Sequence, residues 1–266
     1  DDYPALPVMP GAAGTVDAHD LAQAVGQVSI AASRDDTLPL LTSVQMEVDG
    51  ESLTLMATDR YRLAVRKMTW TPQNAGLSTH ALLKARTLSD VAKSLTSAGD
   101  VTLALTEPGS SSSSLIGFEA GGRRTTSLLT DGDYPPVLRL FPETTTIHAT
   151  VSREELMDAV RRVSLVADRS TPIHMAFTDG NLALNAGQGD DAQASEQLMT
   201  YVEGDDITTA FNPGYLLDGL GAITQPYVMF DFTHPSKPAV LTGVSAIGGE
   251  EDASFRYLIM PIRFGA

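Results

Sequence analysis

The stretch Thr15–Arg34, TVDAHDLAQAVGQVSIAASR, recurs 135 residues later as Thr150–Arg169, TVSREELMDAVRRVSLVADR. The two copies align without a gap and agree at nine of their twenty positions. Each copy continues into a predicted hairpin that turns at an Asp-Gly pair, Asp49-Gly50 or Asp179-Gly180; this dipeptide favours the positive backbone angles of a tight turn. A repeat of this length is one whole domain rather than one unit of a solenoid. The sequence therefore predicts two homologous α+β domains in tandem.

Each domain is predicted to contain two βαβββ-like halves, with helices on one side of antiparallel sheets. The first helix follows a capping Asp17, and its apolar face carries Leu21, Ala24, Val25, Val28 and Ala32. Further helices are predicted over residues 85–97, 153–166 and 213–223. Strands are predicted to end at Val16 and to span 44–48, 53–57, 62–68, 101–105, 115–120, 125–129, 228–232, 239–242 and 256–261. The serines after Pro108-Gly109 and the acidic stretch 187–196 are predicted loops.

The beginning of the chain resembles the end of the first repeat. Asp1–Pro10 reads DDYPALPVMP, and Gly132–Pro142 reads GDYPPVLRLFP. We therefore interpret residues 1–12 as the remnant of a missing first domain. Residues 13–143 then form a second domain and residues 144–266 a third.

Composition excludes several classes of protein. No apolar run approaches the roughly 20 residues of a membrane helix, and the first residues lack the features of a signal peptide. The absence of cysteine excludes disulfides and thiolate chemistry. A net charge of −15 opposes binding to nucleic acid, unless the 18 basic residues are segregated on one surface.

The sequence contains no recognisable set of catalytic residues. The five histidines are scattered without a pair at metal-ligand spacing, and neither a nucleophile elbow nor a Walker loop occurs. Asp190-Asp191 and Asp205-Asp206 lie in polar stretches and are interpreted as solvated loop charges. We expect no catalytic residue, no metal and no cofactor. Two alternatives stay open: an α+β enzyme that uses these loop carboxylates with a metal, and an interaction module of the adhesin type.

Two groups of residues are unusual for their positions. The apolar end that begins at Tyr257 is either a last strand docked in the core or a strand that also lines a pocket for an apolar peptide. Basic residues recur around equivalent predicted helices, at Lys84, Arg86, Lys93, Arg153, Arg161 and Arg162. They form either a solvated face with salt bridges or a positive stripe that contacts phosphates without reading bases.

Three motifs resemble signatures of the bacterial replicative sliding clamp, the beta subunit of DNA polymerase III. They are Ala57–Val65 (ATDRYRLAV), Asp131–Pro135 (DGDYP) and Tyr257–Arg263 (YLIMPIR). Their order and spacing match the family, and the match covers essentially the whole chain. The resemblance implies tandem clamp-type domains, of which the second and third are complete here.

The resemblance also implies a non-catalytic processivity factor. Family members form a head-to-tail homodimeric ring around duplex DNA in the cytoplasm and tether the replicative polymerase for processive synthesis. The implied partners are duplex DNA, the polymerase III alpha subunit, the clamp loader and other proteins with a clamp-binding motif. The alternative is a non-replicative protein-interaction module.

The family binds partner peptides in a pocket between its second and third domains. Carried over by motif, the peptide-binding residues are Leu41, Thr58, Arg60, Tyr61, Arg62, Leu63, Pro135, Arg139, Leu140, Pro238, Leu258, Ile259, Met260, Pro261, Ile262 and Arg263. An apolar floor made of Leu63, Leu140, Leu258, Met260 and Pro261, edged by arginines, suits a short peptide with apolar anchors. The DNA-facing residues are expected to be the six basic residues on the predicted helices.

Overall fold

A computed structural model describes residues 8–95, 99–106, 114–166, 171–187 and 193–263. Most of the predicted remnant (residues 1–7), most of the serine loop (residues 107–113) and the pair Asp190-Asp191 lie outside these ranges. The chain divides into two compact units. Unit 1 comprises the described residues of Asp1–Asp59 and Val65–Pro135, and unit 2 those of Arg60–Ala64 and Pro136–Ala266. The domain limits 13–143 and 144–266, drawn from the sequence repeat, stay a prediction.

Unit 1 alternates strands with two helices. Its elements are β1 (Ala12–Asp17), α1 (Ala18–Ser29), β2 (Ser43–Asp49), β3 (Ser52–Thr58), β4 (Arg62–Thr69), β5 (Thr71–Pro72), β6 (Ser78–Lys84), α2 (Ala85–Ser94), β7 (Asp100–Leu105), β8 (Leu115–Ala120) and β9 (Arg123–Leu128). The first residues of β4 belong to the segment Arg60–Ala64 of unit 2.

Unit 2 repeats the pattern. After a 3-10 turn at Val137–Leu140, it contains β10 (Ile147–Ser152), α3 (Arg153–Ser164), β11 (Ile173–Thr178), β12 (Asn181–Ala186), β13 (Ala194–Leu198), β14 (Thr200–Glu203), β15 (Ile207–Phe211), α4 (Pro213–Ala222), β16 (Tyr227–Phe232), β17 (Ala239–Val244) and β18 (Glu251–Ile259). The α+β class with antiparallel sheets is confirmed.

The two halves of each unit exchange their first strands. In unit 1, β1 pairs with β7 beside β8 and β9, while β6 pairs with β2 beside β3 and β4. In unit 2, β10 pairs with β16 beside β17 and β18, while β15 pairs with β11 beside β12 and β13. Each half is therefore completed by a strand of the other half, so that neither half has a complete sheet by itself.

Local signals explain most helix and turn positions. The Asp17 carboxylate accepts the Asp20 N–H at 2.9 Å and caps α1, as predicted. Asn212 caps α4 in the same way, with Pro213 in the first turn, where a missing N–H is tolerated. The predicted Asp-Gly turns are confirmed, with positive φ at Gly50 and Gly180 between paired strands.

Several predicted boundaries were wrong. Helices α2 and α3 end at Ser94 and Ser164, before their predicted ends at residues 97 and 166. Helix α1 ends at Ser29, so the buried Ala32 follows the helix instead of lying on its face. The acidic stretch 187–196 is not all loop, because β13 begins at Ala194 and pairs with β12. The sequence of β13, ASEQL, has weak strand propensity, which explains why it was missed. The last strand ends at Ile259, two residues earlier than expected.

One glycine sets the distance between α4 and the last strand. A Cβ at Gly219 would lie 2.4 Å from Cδ1 and Cε1 of Tyr257. The fully buried Tyr257 donates its hydroxyl hydrogen to the Tyr215 carbonyl oxygen at 2.7 Å, which ties the strand to the start of α4. The absent side chain therefore lets the ring pack directly against the helix backbone.

We expect Gly219→Ala to lower the free energy of unfolding by about 1–3 kcal/mol, because the ring and the helix must separate. Gly221→Ala on the same helix is the matched control, since its nearest neighbour, Cε of Met157, lies at 3.7 Å. That control should be neutral or stabilising by up to about 1 kcal/mol. Chemical denaturation followed by circular dichroism measures both, and equal effects would contradict the packing argument.

Candidate functional site

The segment that follows β18 is bound on both sides within unit 2. The Met260 N–H donates to the Tyr61 carbonyl oxygen at 2.9 Å, and the Ile262 N–H donates to the Ala210 carbonyl oxygen at 2.8 Å. Two of the three motifs, at Tyr61 and at Met260, are thus joined through their backbones. The terminal segment keeps a defined course after the strand ends.

An arginine anchors the first of these motifs to α4. Arg62 is only 9% exposed, and its Nη1 lies 2.5 Å from Oδ2 of Asp218. Its guanidinium carbon lies 4.4 Å from the centroid of the Tyr215 ring, on which the Tyr61 ring also stacks at 6.1 Å. A buried arginine needs such partners, because an unpaired buried charge is strongly destabilising. Arg62 therefore positions its neighbours rather than offering its charge to solvent.

Arg60 has an unusual backbone conformation. Its φ is 82°, and it is the one residue other than glycine with a positive φ among the described residues. This conformation is strained for a side chain with a Cβ, and such strain clusters at functional sites. The exposed Arg60 side chain therefore lies on a conformationally constrained turn between β3 and β4.

The predicted peptide-binding residues differ widely in exposure. Leu63, Leu258 and Ile259 are at most 1% exposed, so they pack inside the protein and do not form an open floor. The exposed apolar members are Tyr61, Leu140 and Met260. Of the remaining members, Leu41 and Thr58 are buried, Pro238, Pro261 and Ile262 are half-buried, and Pro135, Arg139 and Arg263 are exposed. Leu41, Thr58 and Pro135 belong to unit 1 and the others to unit 2.

Leu140 lies in the 3-10 turn at the start of unit 2. The next residue, Phe141, lies under the guanidinium of Arg256, whose carbon is 4.0 Å from the ring centroid. Partial burial lowers the pKa of Arg256 from its usual value. This cation–π contact holds the turn against β18, the strand that leads to Met260.

The tyrosine of the DGDYP motif is mostly buried in unit 1. Burial raises the pKa of the Tyr134 phenol well above its usual value, so the hydroxyl stays neutral. Tyr134 therefore has a packing role within this motif, whereas the neighbouring Pro135 is exposed.

The basic residues of the helices separate into two groups. Lys84, Arg86 and Lys93 are all exposed on or beside α2. On α3, Arg161 and Arg162 are exposed as well, and each forms an ion pair with a carboxylate. Nη1 of Arg161 lies 3.3 Å from Oδ1 of Asp158. Arg162 donates to both carboxylate oxygens of Glu196, at 2.6 and 3.0 Å.

Arg153 is held by the backbone of unit 2. Its Nε donates to the Gln225 carbonyl oxygen at 2.9 Å, and its Nη1 donates to the Leu220 carbonyl oxygen at 3.3 Å. The second bond satisfies a carbonyl in the last turn of α4, where a cation is favourable. This geometry argues against the DNA-facing role expected for Arg153 and gives it a structural one.

We expect Arg153→Gln to lower the free energy of unfolding by about 1.5–3 kcal/mol, because two carbonyl oxygens lose a charged donor. Arg161→Gln on the same helix is the control, since its ion pair is exposed and should change stability by less than about 1 kcal/mol. Urea denaturation compares the two variants. A stable Arg153→Gln variant would contradict the anchoring role.

The ion pair between Arg162 and Glu196 changes the pKa values of both groups. The hydrogen bond from Arg162 lowers the pKa of the Glu196 carboxyl from its usual value, and the bond raises the pKa of Arg162. Because the folded carboxyl pKa is lowered, the pair's contribution is present at neutral pH and is lost as the pH falls through that folded pKa.

We therefore expect Arg162→Gln to raise the pKa of Glu196 towards its ordinary value. Carbon-detected NMR titration of the glutamate carboxyls measures this shift, and Arg161→Gln should leave it unchanged. An unaltered Glu196 titration in Arg162→Gln would show that the ion pair does not persist in solution.

None of the described helices is long and apolar enough to cross a membrane.

Known proteins resemble the chain over nearly its whole length. The family model for the central domain of the DNA polymerase III beta subunit matches residues 15–136, and the model for its C-terminal domain matches residues 138–263. The beta sliding clamp of Streptomyces coelicolor is 51% identical over 263 residues, which cover 99% of this chain and 70% of the relative. The beta sliding clamp homolog GriR of Streptomyces muensis is 43% identical over 264 residues, with the same coverage.

Solved structures share the fold. The Bacillus subtilis DNA polymerase sliding clamp superposes with a TM-score of 0.88 at 24% identity, over 99% of this chain and 68% of that one. The Pseudomonas aeruginosa sliding clamp gives a TM-score of 0.87 at 23% identity, over 98% and 68% of the two chains.

Two tandem units, each made of two strand-exchanged βαβββ-like halves, have the fold of the solved sliding clamps. The matches to both domains and the 51% identity with the Streptomyces coelicolor protein show the family. The chain belongs to the beta sliding clamps, the beta subunits of DNA polymerase III, which are non-catalytic processivity factors in DNA replication. The alternative of a non-replicative interaction module is not favoured.

Proposed function

We propose that the protein encircles duplex DNA as a ring and tethers the replicative polymerase during processive synthesis. The observation that carries this proposal is the repeated unit, in which strand exchange packs α1 with α2 and α3 with α4. The family to which the chain belongs supports the same function. In the full-length protein, a third such domain and a head-to-tail homodimer complete the ring in the cytoplasm.

The proposed DNA contact is sequence-independent and uses the basic end of α2. Lys84 precedes this helix and Arg86 lies in its first turn, which contains no acidic residue. The N-terminus of a helix favours an anion such as a phosphate, and positive side chains beside it strengthen this preference. By contrast, the first turn of α3 carries Glu154 and Glu155. A net charge of −15 is compatible with this role, because closure of a ring, rather than affinity, retains it on DNA.

We expect the double variant Lys84→Glu/Arg86→Glu of the full-length protein to slide off linearised DNA faster and to load less efficiently. Two lost phosphate contacts reduce the salt dependence of DNA binding by a slope of about 1–2. Arg123→Glu, at an exposed position on β9, is the control and should behave as the wild type. Retention on linearised DNA over a salt series measures the effect. Wild-type retention of the double variant would overturn the DNA-facing assignment of α2.

The second part of the proposal is that unit 2 contributes residues that bind the peptide motifs of partners. Such partners are the polymerase III alpha subunit, the clamp loader and other proteins with a clamp-binding motif. The support is the constrained, exposed set Tyr61, Leu140 and Met260, with Arg60 and Arg139 as exposed cations. The Pseudomonas aeruginosa relative has been crystallised bound to griselimycin, which shows that a clamp of this fold can hold a small ligand.

We expect a peptide of the form Gln-x-x-Leu-x-Phe to bind with a dissociation constant of about micromolar order. Two apolar anchors give roughly 1.5–3 kcal/mol each, and polar contacts of the peptide must supply the rest. Met260→Ala should weaken binding by about tenfold, because part of the apolar contact is lost. Met199→Ala is the matched control, since Met199 is also an exposed methionine of unit 2. Isothermal calorimetry compares the variants. Equal binding by all three proteins would remove Met260 from the site, and no binding by the wild type would overturn the peptide proposal.

A further inference from the structure

Three potential metal ligands converge on one face of the unit 2 sheet. They are His148 on β10, Asp231 on β16 and Glu251 on β18. Their ligating atoms all lie within 4.8 Å of one another, and no other such group occurs within the described part of the chain. The antiparallel register places His148 directly opposite Asp231, so the strand pairing itself sets this approach.

The cluster combines a buried carboxylate with a second carboxylate and an imidazole. Asp231 is 6% exposed, and one of its carboxylate oxygens contacts Nδ1 of His148. Glu251 accepts a hydrogen bond from the Thr242 hydroxyl at 3.0 Å, which orients its carboxylate. Buried charges in proteins are paired or coordinate metals. Two neighbouring carboxylates therefore require either a proton or a cation between them.

An opening to solvent lies beside the cluster. A cleft of about 180 Å³ is lined by His148, Thr150, Tyr201, Glu203, Met229 and Gly248-Gly249. Glu203 lies opposite His148 on β14, so His148 has a carboxylate on each neighbouring strand. The cleft is large enough to admit an ion with its water, and it presents a further carboxylate as an oxygen ligand.

We propose that His148, Asp231 and Glu251 bind a divalent transition metal of the Zn²⁺ type, with water or Glu203 at the fourth position. One imidazole nitrogen with carboxylate oxygens is a ligand set that Zn²⁺ accepts in tetrahedral geometry. Mg²⁺ and Ca²⁺ prefer sites made entirely of oxygen atoms and are expected to bind weakly. The ion would replace the contact between His148 and Asp231, and would link β10, β16 and β18.

Protons compete with the metal at this site. Burial raises the pKa of the Asp231 carboxyl to about 7, with a further rise from the adjacent Glu251 and a partial reduction from the hydrogen bond with His148. Metal ligands must be deprotonated to bind, so binding is expected to release protons and to tighten as the pH rises.

The test is calorimetric titration of the full-length protein with Zn²⁺, and with Mg²⁺ as a comparison. We expect one Zn²⁺ per chain at this site, a rise in melting temperature with Zn²⁺ alone, and visible absorption bands of tetrahedral Co²⁺ when cobalt replaces zinc. His148→Gln and Glu251→Gln should each weaken this binding by at least about tenfold. Glu251 is exposed, so its variant is expected to fold, which circular dichroism verifies.

His80→Gln controls for adventitious binding by a surface histidine, because His80 is exposed on β6 of unit 1. Unchanged binding by His80→Gln, with loss in the two cluster variants, would support the proposal. Binding that persists in both His148→Gln and Glu251→Gln would overturn it. So would the absence of any binding by the wild type, which would mean that protons alone hold the cluster together.

Discussion

The exchange of first strands between the halves of each unit is the constraint on which the rest of the structure depends. Because β1 completes the sheet of β7–β9 and β6 completes that of β2–β4, the two helices that follow these strands are brought together. The same pairing in unit 2 brings α3 to α4 through β10 and β15. A half without its partner would expose a sheet edge and one face of its helix, so the unit rather than the half is the element that can bury a core.

Some arginines hold other residues in position and others lie on the surface, depending on which hydrogen-bond and ion-pair partners are close to them. Arg62 is buried against Tyr215 and Asp218, and Arg153 donates to carbonyl oxygens near the end of α4. Both stabilise the frame around the predicted peptide site, and neither leaves its charge available to a distant phosphate. Arg86, which has no acidic residue in its helical turn, is better suited to that role. Formal charge alone therefore does not identify a DNA-binding residue.

The pairing register of the strands is the second feature that determines which residues of unit 2 become neighbours. Side chains directly opposite in an antiparallel pair lie on the same face, a few ångströms apart. This places Glu203, His148 and Asp231 in a row across β14, β10 and β16, on the face opposite to buried residues such as Ala149 and Phe230. Glu203 and Asp231, which lie 55 and 83 positions after His148 in the sequence, thus become its neighbours. Scanning for histidine pairs at short spacing could not have detected this group.

The sequence by itself determined the tandem repeat, the Asp17 cap, the hairpin turns and the three family motifs, because each of these patterns can be read directly along the chain. It did not reveal the strand exchange, the membership of Arg60–Ala64 in unit 2, or β13, whose local propensity is weak. It also placed Leu63 and Leu258 on an open surface, although both are buried. Only the tertiary structure decided these points, since they depend on pairing between strands far apart in sequence, which local periodicity does not encode.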